Sequence, residues 1–337
     1  MIATDVRPAY VPDGPLALRV ANWLNEPRDV PFVSLIAQCL AWQLVGIFLF
    51  FLGPSAWYLA PLYWACWGFG FLDRFILMLH CTSHRALFKD RRLNNIIPWI
   101  VGPFYGQTPE SYFAHHMGMH HPENNLAADL SSTMRYQRDR FAHWLHYFGS
   151  FLLGGIPSVA LYHHRKGNTK MLRRFVAGEA SFWIGAALLL YVNVHATLIV
   201  FVFPVLAVRA LMMAGNWGQH AFVDAADPGN PYRNSITCIN VRYNHRCFND
   251  GYHILHHIRP RTHYTEYPVE FEANKAEYGR QDAIVFEGID FFQVWLFLML
   301  GRHDWLARRM VRLPGAPART DAEAVAFLKQ RLAAIPG

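Results

Sequence analysis

The chain has 337 residues, 53% of them hydrophobic and only 16% charged, with a formal net charge of +7. Ordinary soluble domains carry roughly 25% charged residues, so this composition excludes a plain soluble globule and points to a membrane protein. Five cysteines, an odd number with no Cys-x-x-Cys pair, exclude a disulfide framework. The basic charge comes without any nucleic-acid-binding motif, which leaves no nucleic acid among the expected partners.

Residues 1–30 form a charged, proline-containing arm. The first apolar run starts only at residue 31, so a cleaved signal peptide is not expected and the arm should stay attached. From Pro31 to Leu72 there is no charged side chain, and Gly53-Pro54-Ser55 breaks the run in two. A spanning helix needs roughly 20 apolar residues, so spans are expected over about 31–52 and 56–79. The segments 96–104 and 145–162 are apolar but short, glycine-rich or proline-interrupted, and read as interfacial or re-entrant helices. A second charge-free run, Ala180–Val208, extends in both directions and turns at Asn193-Val194-His195. It gives spans over about 175–193 and 196–214. Phe291–Leu300 is too short to cross a bilayer.

The turns at 53–57 and 192–196 contain no Lys or Arg, whereas the arm, the 85–174 connection and the C-terminal region are basic. The positive-inside rule then puts both termini in the cytoplasm. The fold expected is an all-α membrane protein with four transmembrane helices in two hairpins and a cytosolic helical cap holding a histidine-rich di-metal site. Its parts are the arm 1–30, a membrane domain 31–270 and a cytosolic C-terminal region 271–337.

The candidate ligands follow the polar ends of these runs. They are His80 and His84; His116, His120 and His121, with His115 adjoining; Asn216 and His220; and His253, His256 and His257. On a helix, residues four apart share a face, as do three apart. His80 and His84, His116 and His120, and His253 with both His256 and His257 therefore form paired ligands. The doublets His120-His121 and His256-His257 point roughly 100° apart around a helix of about 3.6 residues per turn, so each doublet can serve two metals. Nine imidazoles are too many for one structural zinc site of four ligands. The soluble carboxylate-bridged di-iron class is excluded, because no Glu in this chain has a His three residues later. Imidazole suits iron, copper, nickel and zinc alike, so residue type alone leaves the metal open.

The remaining histidines are read as ordinary hydrogen-bonded residues: His143, His146, His163, His164, His195 and His303. His245 and His263 stay undecided. Cys39 and Cys66 are apolar fillers within spans, and Cys81 turns away from the His80/His84 face. Carboxylates that hold imidazoles in the ligating tautomer are expected among Asp73, Glu110, Glu123, Asp129, Asp224, Asp250 and Glu266. Arg242, Arg246, Arg259 and Arg261, near the last two boxes, are candidate clamps for a substrate carboxylate or phosphate.

His80-Cys-Thr-Ser-His84, His116-Met-Gly-Met-His120-His121, Asn216-Trp-Gly-Gln-His220 and His253-Ile-Leu-His256-His257 resemble the histidine boxes of the membrane fatty acid desaturase superfamily. The resemblance covers about residues 30–270. It implies a mushroom-like four-helix bundle with two non-heme irons (Fe) activating O2 beside an acyl-chain tunnel. It also implies that the nine box histidines are ligands, with His115 able to substitute for His116, and that Asn216 completes the set through a water. One departure is visible: three residues separate His116 from the His120-His121 doublet where many desaturases have two. That spacing also occurs among alkane hydroxylases.

The function expected is a di-iron, O2-dependent oxidoreductase of a fatty acyl chain, a desaturase first. An oxidative decarboxylase making 1-alkenes from free fatty acids, as in the bacterial enzymes the chain also resembles, comes second and a hydroxylase third. A zinc-binding membrane receptor is the alternative of a different class. The sequence contains no iron–sulfur motif, no His-Pro-Gly-Gly signature and no Gly-x-Gly-x-x-Gly. Expected partners are therefore the bilayer, the acyl substrate and a separate electron carrier, ferredoxin or cytochrome b5, with its reductase. The location expected is an integral membrane, the bacterial inner membrane ahead of the endoplasmic reticulum.

Overall fold

The computed structural model describes residues 3–335; of the arm and the C-terminal region expected above, residues 1, 2, 336 and 337 lie outside the described residues. Helices dominate. Among the described residues four are long and apolar enough to cross a membrane: Pro27–Phe51, Gly53–His84, Thr169–Val192 and Val194–Gln219. The all-α, four-span membrane architecture expected from hydropathy is what the chain adopts. Phe141–Arg165, although 25 residues long and interrupted by Pro157, is not among the four. Among the described residues the β-structure includes a short parallel pair, Thr237–Ile239 with Val285–Glu287, in the register Cys238 opposite Phe286.

The chain clusters into two units, one comprising residues up to Arg7, Met119–Ser158 and Ala210 onward, the other Pro8–Gly118 with Val159–Arg209. The second unit carries the first three spans and most of the fourth. Its first span opens at Pro27, where proline's missing N–H costs nothing, and the Glu26 side chain caps the Arg28 amide. The turn after it uses Gly53 at φ 55°, a left-handed conformation that glycine adopts freely. The second turn depends on Asn193, whose extended backbone ends one helix and whose side chain caps the Ala196 amide at 3.0 Å.

The two turns are stapled together. Asn193 Nδ2 donates to Phe50 O at 3.0 Å, and the Trp57 indole donates to His195 Nδ1 at 2.8 Å. His195 is thus a structural acceptor. Beneath the turns lie Leu49, Ala56, Ala60, Tyr63, Phe182, Ile199, Val200 and Phe201. Apolar side chains on the outer faces are exposed, Tyr191 at 92% and Tyr58 at 88%, as lipid-facing positions require.

The short apolar segment Ile96–Tyr105 tucks against the first span rather than crossing, and Gln43 Nε2 donates to Ile100 O and Val101 O. The next loop locks onto the third span. Thr108 Oγ1 donates to Glu179 at 2.6 Å, Arg174 pairs with Glu110 at 2.8 Å, and a Cβ on Gly178 would stand 1.9 Å from Pro109 O. Glycine is required at Gly178 because backbone occupies the place of a side chain.

The other unit packs the parallel pair against helices Phe291–Met299, His303–Ala307 and Asp321–Arg331 around Phe222, Ile236, Phe286, Val294 and Leu328. A neighbouring core of Tyr252, Ile254, Leu255, Phe271 and Tyr278 backs the helix His253–Ile258. The arm enters here: buried Asp5 accepts from Asn240 N, Asn244 Nδ2 and the Tyr252 hydroxyl at 2.6–2.9 Å.

Candidate metal centre

Each histidine box lies on or at the end of a helix. His80 and His84 occupy the last turn of Asp73–His84, one turn apart on one face. His116 and His120 lie on Phe113–His120, which is wound as a π-helix, a form frequent at functional sites. The widening has a visible support: His163, fully buried, donates from Nε2 to Ala114 O at 3.0 Å, and its ring fills the notch over Gly118, where a Cβ would stand 2.7 Å from Cε1. Pro122 lies just beyond. His220 follows the fourth span, and His253, His256 and His257 sit on the short helix His253–Ile258.

In the unit built on the first three spans, ring nitrogens of His80, His84 and His116 lie within 4.8 Å of one another, with His84 Nε2 3.0 Å from His116 Nε2. Tyr112 stacks on His116 at 4.9 Å. His116, not the adjoining His115, faces His80 and His84. In the other unit His120, His220, His253 and His257 form a second set with ring nitrogens within 4.8 Å of one another. His253 Nε2 is 3.2 Å from His220 Nε2 and 3.0 Å from His257 Nε2. His121 and His256 turn their Nε2 atoms to each other at 3.0 Å.

Three of the outward nitrogens are held by the protein. His120 Nδ1 meets Asp129 Oδ2 at 2.7 Å, His220 Nδ1 meets Asn234 O at 2.8 Å, and His256 Nδ1 meets the Tyr267 hydroxyl at 3.3 Å. A donor Nδ1–H leaves the Nε2 lone pair pointing inward, the tautomer a metal needs. Burial first, and the neighbouring His120 second, brings the His220 imidazole down to about 3. Burial and then His253 push His257 well below the ordinary histidine range. Both rings are therefore neutral at physiological pH, and neutral imidazole is the ligating form. Nε2 atoms converging at 3.0–3.2 Å in both sets, with the other nitrogen of His120 and His220 engaged outward, fit a borderline transition metal.

Asn216 donates from Nδ2 to Ser131 O at 3.0 Å and to the buried Tyr147 hydroxyl at 2.7 Å. Among the expected carboxylates Asp129 reaches a box histidine, whereas Asp224 pairs with Arg331 at 3.0 Å and Glu110 with Trp99 and Arg174. Arg242, Arg246, Arg259 and Arg261 are exposed, and Arg259 pairs with Glu270 at 2.9 Å. The histidines set aside as ordinary have ordinary partners: His143 accepts from Gln137 N, His146 meets the Tyr136 hydroxyl, and His303 meets Asp139. Sequence reasoning missed Asn234, which acts through its backbone carbonyl, and Tyr267, which no spacing connects to His256.

A helical membrane chain thus carries two histidine sets, each able to hold a metal ion. The fatty acid desaturase family model matches residues 55–288, well over half of the chain, and the chain belongs to that family. Comparison with curated proteins and with solved structures finds no match. Family membership makes the chain a fatty acyl oxidoreductase of the membrane.

Proposed function

We propose that the chain is a non-heme di-iron, O2-dependent fatty acid desaturase. The observation that carries this reading is the pair of Nε2-facing imidazole sets, each within 4.8 Å, with outward nitrogens fixed by Asp129 and Asn234. His80, His84 and His116 would hold one iron and His120, His220, His253 and His257 the other, with His121, His256 and Asn216 completing the sets. Two irons held there supply the dioxygen activation that attack on an unactivated methylene demands. The chain's residues supply neutral donors, fixed ring orientation and burial from water.

Removing two hydrogens from the acyl chain supplies two electrons, and reducing O2 to two waters needs two more. These come from a separate carrier of the ferredoxin or cytochrome b5 kind. Arg242, Arg246, Arg259 and Arg261 are the proposed anchors for the acyl headgroup, with the domain spanning 31–270, the flanks 1–30 and 271–337, and both termini on the cytoplasmic side of a bacterial inner membrane. The outcome on the acyl chain depends on where the methylene sits, so a 1-alkene-forming decarboxylase is the second reading, drawn from the resemblance to the bacterial enzymes. The wider spacing from His116 to His120 keeps hydroxylation third.

Mass spectrometry of lipids and headspace from cells expressing the chain tests these outcomes together, with metal analysis of the purified protein. An alkene-containing fatty acid with about two irons per chain is expected. A volatile hydrocarbon would replace desaturation by decarboxylation. One zinc per chain with no dioxygen consumption would overturn the enzyme reading in favour of a receptor.

A further inference from the structure

Arg138 is completely buried, yet among the described residues its guanidinium meets no carboxylate and bonds only backbone carbonyls. Nε donates to Ala221 O at 2.7 Å, Nη1 to Thr133 O, Met134 O and Tyr136 O, and Nη2 to Arg331 O at 2.9 Å and Ala333 O at 2.7 Å. All five guanidinium N–H groups are thereby used. Its own backbone takes part as well: Arg138 N donates to Leu332 O at 3.0 Å, and the Trp217 indole donates to Arg138 O at 2.9 Å.

Three stretches of chain therefore meet on one side chain. The first, 129–138, carries Asp129, which holds His120, and Thr133, whose hydroxyl donates to His220 O at 2.6 Å. The second is the box itself, gripped at Trp217 before His220 and at Ala221 after it. The third is the C-terminal end, and further bonds close the seam: Val223 N to Arg331 O at 3.0 Å, Ile335 N to Met134 O at 2.8 Å, and Arg331 with Asp224 at 3.0 Å.

We infer that Arg138 is a positioning residue for the set His120, His220, His253 and His257, and that through it the C-terminal stretch Arg331–Ile335 belongs to the scaffold of that metal site. The inference rests on the ligand assignment proposed above. A guanidinium suits the task because it is planar and offers donors in three directions at fixed angles. A lysine ammonium offers three donors at one point and leaves buried carbonyls unsatisfied. The seam restrains the backbone on both sides of His220, whereas the ring itself is oriented by Asn234 O. Loosening the seam should therefore act on metal affinity and not only on folding.

The test is anaerobic titration of ferrous iron into metal-free, full-length protein, comparing wild type, Arg138→Lys and a truncation ending at Leu332, which removes Ala333 O and Ile335 N. Leu306→Ala, a buried core change in the same unit remote from the box in sequence, serves as the control matched for lost thermal stability. One of two iron equivalents is expected to bind about tenfold more weakly in both test variants, the scale seen when outer partners of a metal site are removed. The control should stay within about twofold of wild type, well inside that tenfold effect. Unchanged affinity in the variants that fold, or an equal loss in the control, overturns the inference. His220→Ala separates the two readings: retention of both iron equivalents there would sink the ligand assignment itself.

Discussion

His120 Nδ1 and Asp129 Oδ2 lie 2.7 Å apart, both side chains almost fully buried, and the same carboxylate also accepts from Ser131 N, Ser131 Oγ and Asn125 N. The loop is thus folded around the group that orients the ring. Asp129→Ala should lower metal affinity about 10–100-fold, the usual cost of losing such a partner. Asp129→Asn, which keeps the shape and some of the loop bonds, should fall between. Metal titration of the purified variants is the measurement, and wild-type affinity in Asp129→Ala would remove Asp129 from the site.

Gly118 sets the space for His163. Adding one methyl places a Cβ 2.7 Å from a ring that is buried and bonded to Ala114 O, so either the ring or the π-helical segment must move. Overpacking of this kind costs about 1–3 kcal/mol, and here the displaced backbone carries His116 and His120. Gly118→Ala should lose most of its turnover and part of its iron. A fully active variant with unchanged iron would mean that the segment tolerates the shift.

Glu179 and Arg209 form an ion pair at 3.5 Å, with side chains 5% and 14% exposed, on two of the spanning helices. Glu179 also accepts from Thr108 and the Trp183 indole. Breaking a buried pair by removing one partner typically costs about 3–5 kcal/mol, because the other charge is stranded. Arg209→Leu should therefore lower the unfolding temperature in detergent more than the double change Glu179→Leu with Arg209→Leu does. If the double variant is the less stable, the pair contributes net stability rather than mutual neutralisation.

Acid should destabilise the metal-free protein. His220 and His257 are held below the ordinary value of 6.5, His220 at about 3, so the unfolded chain binds protons that the folded chain refuses. Stability then falls as pH drops below about 6.5 and continues to fall towards His220's value of about 3. Between pH 7.5 and 5.5 the loss is about 1 kcal/mol per imidazole. Thermal unfolding of metal-free protein at the two pH values measures it, and equal midpoints would show that these rings do not resist protonation.

Electron delivery should depend on an added partner and on salt. Purified protein is expected to be idle with NAD(P)H alone and to turn over once an acidic ferredoxin and its reductase are supplied. The chain's net charge of +7 would steer such a carrier, so kcat/KM for it should fall as ionic strength rises. Turnover without a carrier in a reductase-free preparation would discard the partner. A salt-independent dependence would keep the partner and discard the steering.

Much of this protein is written locally, and that part is legible in the sequence. The uncharged stretch from Pro31 to Leu72 and the run from Ala180 to Val208 specify spans, because transfer into lipid depends on composition over about 20 residues. Asn193 marks a turn because its side chain caps the next helix, and His80 with His84 share a face because helix geometry makes residues four apart neighbours. The facing of the boxes is not local. His84 meets His116 across 32 residues and His121 meets His256 across 135, and no spacing rule connects them. His116 stands with His80 and His84 on a π-helical segment whose Ala114 carbonyl is bonded to His163, a residue that reads in isolation as an ordinary core histidine. Asn234 O and the six carbonyls around Arg138 are backbone atoms that every sequence possesses, so only the packed chain decides which of them point at a ring or a guanidinium. Helix faces and hydropathy fix the donors, and long-range packing fixes their tautomers and neighbours.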